Sequence, residues 1–318
     1  MRIAIAGLAT SHPYTDAAGL RGHADLTVWE SDPARLRRFL DRHPTVPVAD
    51  DLAGLLATDP DGVVLTVPTP GVAAALAEVL SRDLPCFVNK PAAATAAQLA
   101  ALDEVVAKAP DRVLSTSVLR FAPGLAGLSV PRAAVTSARV TVRHDVGLWA
   151  TGYNPWQDDP AEGGGTLVTM GLHGVEILVA LLGADVELVS AVRAVRRYPT
   201  LRSEDTGLLL LRWADGVAGV VEVLGASDTE SYDVTLHTAA GDEGVVLAPG
   251  STGDAGNAAG AGGAGGAGGA AEVSLGYRDT LAAFLTMVGG APSPVPWEQT
   301  RAVLRTLVAA RAAAPVDP

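Results

Sequence analysis

Apolar residues in the first third of the chain fall into short runs, separated by stretches with helical spacing. "RIAIA" (2–6), "LTVWE" (26–30), "VPV" (46–48), "GVVLTV" (62–67), "PCFVN" (85–89) and "RVLSTS" (112–117) read as six strands. Residues 13–22, 33–42, 50–57, 70–82 and 95–108 read as the helices between them. Strict alternation of this kind predicts a parallel, doubly wound sheet, whose ligand crevice lies outside the carboxyl ends of the strands. Residues 6–12, 30–32, 67–70 and 89–91 fall at that edge. Beyond Arg120 the pattern changes to longer alternating strands at 133–145, 185–196, 205–213, 217–224 and 231–238. One long helical stretch at 166–182 interrupts them, and Asp215-Gly216 marks a hairpin turn. This half reads as an α+β unit with a large, mostly antiparallel sheet, on which helices at 276–289 and 297–313 are expected to pack.

The chain has 318 residues, 48% of them hydrophobic, enough for two cores, and the change of rhythm divides it into domains at 1–118 and 119–318. Residues 249–271, "PGSTGDAGNAAGAGGAGGAGGAA", are nearly without side chains and read as a mobile surface loop. With 23 basic against 35 acidic residues the net charge is -12, which repels a phosphate backbone and an anionic membrane surface. Nucleic acid and membrane are therefore not expected partners. The apolar stretch 166–182 is short for a bilayer span and contains His173 and Glu176, and no signal-type segment opens the chain. Cys86 is the only cysteine, so nothing points to an oxidising compartment, and a cytoplasmic protein is expected.

Charge also singles out one residue. Lys90 and Lys108 are the only lysines among the 23 basic residues. A lysine kept where arginine is the rule suggests a compact donor whose pKa burial can tune, and Lys90 sits in "CFVNKPAAAT" at a strand end, followed by Pro91. A dinucleotide turn requires glycines for tightness, for close approach of pyrophosphate and for helix packing. In "IAIAGLATSHP" those positions hold Gly7, Ala9 and His12. Pro13 suits the first helical position, which makes His12 the cap and leaves backbone amides and a helix dipole to hold a phosphate, unless His12 merely caps its own helix. Glu30, 23 residues after Gly7, either accepts from ribose hydroxyls, favouring NAD over NADP, or is a solvated acid beside the helix cap Asp32. In the second half, "EGGGTLVTMGLHGVEILVALLG" brings Gly163, Gly164 and Gly165 close to something and carries Thr169, His173 and Glu176 at spacings of four and three, on one helix face. The remaining histidines show no ligand spacing, so no metal is assigned.

Taken together, the chain resembles the Gfo/Idh/MocA oxidoreductases. The resemblance runs through "ESDPARL", "DPDGVVLTVPTP", "NKPAAAT", "LRFAP", the glycine-rich stretch with its His173 helix, "DTGLLLLRWADGVAGVVEV" and the closing helices. It implies an N-terminal Rossmann domain binding NAD, with NADP as the alternative, and a C-terminal substrate domain whose open sheet serves a homo-oligomer, dimer or tetramer. Lys90 would hydrogen-bond the reacting hydroxyl of a sugar or cyclitol, His173 would move its proton, and the Lys90–Pro91 bond would be cis. Gly7, Ala9, Thr10, Ser11, His12, Glu30, Pro68, Thr69, Asn89 and Lys90 are the expected cofactor contacts, and Arg120, Trp156, Thr169 and His173 the expected substrate contacts, with Thr169 also in a catalytic position. Thr169 stands where the family has aspartate, Asn89 where it has glutamate, and Val72 where histidine is common. A dehydrogenase or ketoreductase is the leading reading. A non-redox binding or regulatory protein, and a glycoside hydrolase using held NAD, are its rivals.

Overall fold

The computed structural model describes residues 1–250, 273–313 and 316–317, and the chain divides into two compact units. The first comprises Met1–Ala93, Ala97–Thr116 and Thr280–Trp297. Its sheet is five-stranded and parallel, in the order β2-β1-β3-β4-β5, built from β1 (Arg2–Ala6), β2 (Asp25–Trp29), β3 (Gly62–Leu65), β4 (Cys86–Val88) and β5 (Val113–Leu114). Helices α1 (His12–Leu20), α2 (Pro33–Arg42), α3 (Leu52–Leu56), α4 (Thr69–Leu80) and α5 (Ala96–Val106) alternate with the strands. Strand order reverses between β1 and β3, so Ile5 pairs with Val28 on one side and Val64 on the other. That reversal locates the crevice at the ends of these strands.

Two expectations change here. "VPV" is not a sixth strand: Val48 makes only an isolated parallel bridge to Val28. Pro47 offers a carbonyl to the Val28 amide at 2.9 Å, but it has no N–H with which to continue a ladder. Residues 280–297, expected with the second sheet, belong to the first unit. Phe284, in the helix Tyr277–Val288, packs against Phe87 of β4 with ring centroids 6.1 Å apart, and Trp297 Nε1 donates to Asp103 Oδ1 at 2.9 Å. An apolar helix face is compatible with either sheet on pattern alone, and these side chains decide the matter.

The second unit comprises Ala94–Ala96, Ser117–Asp279 and Glu298–Pro318. Its seven-stranded sheet runs β11-β10-β6-β9-β8-β7-β12, from β6 (Val135–Asp145), β7 (Val186–Ala194), β8 (Thr206–Trp213), β9 (Ala218–Leu224), β10 (Ala226–Thr238), β11 (Gly241–Leu247) and β12 (Val316–Asp317). Pairings are antiparallel except β6 with β9 and β7 with β12. The expected hairpin at Asp215-Gly216 joins β8 to β9, with Gly216 at φ +90°. Short helices α6 (Pro123–Ala126), α7 (Gly147–Ala150) and α8 (Gly165–Thr169) precede α9 (Gly171–Leu182), which lies on the inward face of β6 and β9. Gly174 permits that approach, because a Cβ there would stand 2.5 Å from Val221 Cγ1. The sheet's other face carries exposed Val192, Leu208 and Leu210, beside an ion pair of Arg143 with Asp233. Strand β11 had no sequence counterpart. Apart from Pro249 and Gly250, the loop expected at 249–271 lies outside the described residues. The stretch Gly165–Leu182 is apolar and long enough to cross a bilayer but is 89% buried within the fold, which makes it a core element.

Candidate functional site

In the first unit, Gly7 follows β1 with φ +87°, and a Cβ there would lie 2.5 Å from the Thr66 carbonyl oxygen. Neither the backbone angle nor the space admits a larger residue. Ala9 N–H donates to that same carbonyl at 2.9 Å, stitching the turn to the end of β3. Glu30 closes it from β2. Its Oε2 accepts from Leu8 N–H at 2.6 Å and its Oε1 from Asp32 N–H at 2.8 Å, while Arg35 Nη1 stands 3.5 Å from Oε2. The Glu30 side chain is only 2% exposed, so it is built into the turn rather than solvated beside it. Asp32 is the cap of α2, accepting from Ala34 and Arg35 amides.

The helix start differs from expectation. Helix α1 begins at His12, Ser11 takes the cap position without a side-chain capping bond, and Pro13 is the second helical residue. Thr10 Oγ1 accepts from the His12 amide at 3.3 Å, so the hydroxyl one residue upstream of the cap, and not His12, engages a free amide of the first turn. These features fit a nicotinamide dinucleotide: a glycine turn without room for a Cβ at the strand reversal, a helix opening on an unengaged serine hydroxyl, and a buried carboxylate at the end of β2.

Strand β4 delivers Asn89 and Lys90, both buried, and the Lys90–Pro91 bond is cis as the resemblance implies. Pro68 and Thr69 open α4 at the end of β3, and Val72 is buried one turn further on. Asn89 Nδ2 donates to Thr66 Oγ1 at 2.8 Å and to Asp16 Oδ2 at 3.0 Å. Sequence reading missed Asp16. It lies on the inward stripe of α1 with Pro13, Ala17 and Leu20, and this polar residue in an apolar stripe was the available signal. Burial raises its pKa to about 7, against the smaller, opposing effect of the Asn89 hydrogen bond.

In the second unit, the expected single helix at 166–182 is two, with the break at Met170. Thr169 Oγ1 donates to the Gly165 carbonyl at 2.8 Å, the back-bonding that bends helices, and Gly171 follows immediately. The Thr169 hydroxyl proton is thus directed into its own helix. His173 Nδ1 lies 2.6 Å from Ser117 Oγ, and Arg120 Nη1 donates to Glu176 Oε1 at 2.7 Å. Ser117 and Arg120 flank the first turn of a 3-10 helix, Val118–Phe121, three residues apart like the His173 and Glu176 they meet. Both pairs are 56 residues apart in sequence. Arg120 also donates to Gln299, so the guanidinium expected to bind substrate is engaged on two sides. Ser117 and Glu176 as partners were not foreseen.

The remaining expectations resolve locally. Trp156 is buried in a short 3-10 turn, Pro155–Gln157, and its carbonyl accepts from Gly163 N–H at 2.8 Å. The three glycines approach the chain itself: Gly163 faces Gln157, Gly164 faces Val168 and Ala94, and Gly165 faces Ser203 and Glu204. Among the described residues there is no group of three or more His, Cys, Asp or Glu able to hold a metal ion.

Comparison with known proteins matches residues 134–246 to the model of the GFO/IDH/MocA C-terminal domain. That stretch of the second unit is similar to a GFO/IDH/MocA C-terminal domain. The match runs from the start of β6 to the end of β11, the strands behind α9, and the resemblance read from the sequence stands. Solved structures with the same fold as the whole chain include GenD2 from gentamicin A biosynthesis in complex with NAD, with a TM-score of 0.79 at 22% identity over 98% of this chain and 93% of that one. A myo-inositol dehydrogenase from Corynebacterium glutamicum gives 0.75 at 18% identity, covering 99% and 96%. A mutant of KijD10, a 3-ketoreductase from Actinomadura kijaniata solved with TDP-benzene and NADP, gives 0.67 at 18%, covering 100% and 99%. No curated protein sequence matches the chain.

Proposed function

We propose that this protein is an NAD(P)-dependent dehydrogenase or ketoreductase acting on a hydroxyl or ketone of a sugar or cyclitol. The observation that carries the reading is the first unit's turn, in which Gly7 leaves no room for a Cβ and Glu30 is fixed against the Leu8 amide. Gly7, Ala9, Thr10, Ser11 and His12 would cradle the pyrophosphate, with Pro68, Thr69 and Asn89 along the neighbouring strand ends. Glu30 would place a carboxylate beside the adenosine ribose, which favours NAD. When bound, the nicotinamide supplies a two-electron hydride acceptor or donor. Lys90 stabilises the negative charge that develops on the reacting oxygen, and His173 accepts or returns its proton. Trp156 and Arg120 would shape the substrate side, Arg120 through the geometry it gives Glu176. The exposed apolar residues of β7 and β8 suit pairing with a second copy, and a homo-oligomer belongs to this reading.

The test is turnover of NAD and NADP against a panel of polyols, cyclitols and sugars. Replacing Lys90 with alanine is expected to lower kcat by at least about a hundredfold while leaving cofactor affinity near that of the parent. An active Lys90→Ala enzyme would remove the assigned role. One observation favours a second reading, a non-redox binding protein: Thr169 stands in the aspartate position and spends its hydroxyl proton on Gly165. Failure of NAD(H) and NADP(H) to raise the melting temperature would select that reading.

A further inference from the structure

We propose that Ser117 is the positioning residue of His173, accepting a hydrogen bond from Nδ1–H so that Nε2 keeps the lone pair that takes up the substrate's proton. This rests on the general acid-base role proposed above for His173. Ser117 Oγ is 2.6 Å from Nδ1, Ser117 is fully buried, and His173 is 3% exposed. The orientation of the hydroxyl is constrained from its own side, since Leu119 N–H donates to Oγ at 3.2 Å. A serine oxygen has two acceptor sites. Leu119 N–H takes one, and the proposal assigns the other to Nδ1–H.

An acceptor at Nδ1 suits both states of the proposed cycle. Neutral His173 would donate from Nδ1 and offer Nε2 as base. Once Nε2 has taken the proton, the imidazolium still donates from Nδ1 to the same oxygen, so neither heavy atom has to move. In a His–carboxylate pair the partner also stabilises the imidazolium through its charge. A serine supplies the orientation without that charge. The surroundings hold the ring in this pose. Tyr232 meets it edge-on with centroids 5.2 Å apart, and its hydroxyl donates to Glu230 at 3.0 Å. On the same helix, Glu176 is committed to Arg120, which anchors the 3-10 helix that Ser117 caps.

Nitrogen-15 NMR of the imidazole in the full-length protein tests this directly, with the His173 signal assigned by its loss in His173→Gln. The wild-type neutral ring is expected to be the Nδ1–H tautomer. In Ser117→Ala that tautomer is expected to lose its dominance, and kcat to fall about 10- to 100-fold with KM nearly unchanged, as for loss of an outer partner of a working histidine. Ser117→Thr, which keeps the oxygen, is expected to restore both, and Ser117→Asp to move the acidic limb of the kcat profile for substrate oxidation to higher pH. A wild-type Nε2–H tautomer overturns the proposal, as does a Ser117→Ala protein that keeps the Nδ1–H form. The tautomer is read without turnover. An Nδ1–H ring governed by Ser117 in a protein that reduces no cofactor therefore sinks the redox reading and leaves the positioning role standing.

Discussion

Asp16 in the first unit and Glu176 in the second are equally hidden, each 1% exposed, yet the fold treats them differently. Asp16 has an amide for company, and burial raises its pKa to about 7, so that it is about half protonated at neutral pH. Glu176 has a guanidinium at 2.7 Å, which is itself held by Gln299. A buried carboxylate opposite an arginine gains Coulomb energy that an amide cannot supply, so the partner rather than the depth decides whether charge is tolerated. The first arrangement responds to pH. The second depends on both members being present.

The largest effect is expected from turning the second arrangement into the first. Arg120→Leu strands Glu176 without its cation and should cost about 3 to 5 kcal/mol in urea denaturation, most of it recovered in the double variant with Glu176→Leu. A single variant as stable as the wild type would mean that the pair carries little weight. Next comes pH. Because the folded-state pKa of Asp16 is raised from 3.8 to about 7, its contribution is complete below the unfolded value and is lost as pH rises through about 7. At about 1.4 kcal/mol per unit, stability should fall by about 2 to 3 kcal/mol between pH 5 and pH 8 on this account. Asp16→Asn, which can still accept from Asn89, should remove that fall, and a variant with the wild-type slope would contradict the assignment. The smallest effect concerns a neutral group. Thr169→Val deletes the bond to the Gly165 carbonyl while keeping the shape, and should cost about 1 kcal/mol in thermal or urea denaturation.

The sequence made the strand-helix alternation of the first unit legible because apolar runs and turn residues are local signals. Glu30 and Gly7 were legible too, since their spacing follows from one strand-turn-helix unit. What stayed hidden depended on contacts across long separations. Nothing local says that the Glu30 carboxylate bonds the Leu8 amide, that Ser117 meets His173, or that residues 280–297 choose Phe87 over the second sheet. The helix break at Met170 was obscured by a different cause. Its apolar spacing continues unbroken, and only the Thr169 hydroxyl and Gly171 carry the interruption. "VPV" failed as a strand for a reason that was readable: proline cannot donate.

The matched spacing of Ser117 with Arg120 and of His173 with Glu176 has a mechanical consequence. A single pin lets two rods pivot about it, whereas two pins side by side lock their angle. Sliding α9 by one residue would rotate both of its polar side chains off their mates together, so there is no half-seated arrangement in which to rest. The imidazole such a joint carries has its bearing fixed along two separate lines.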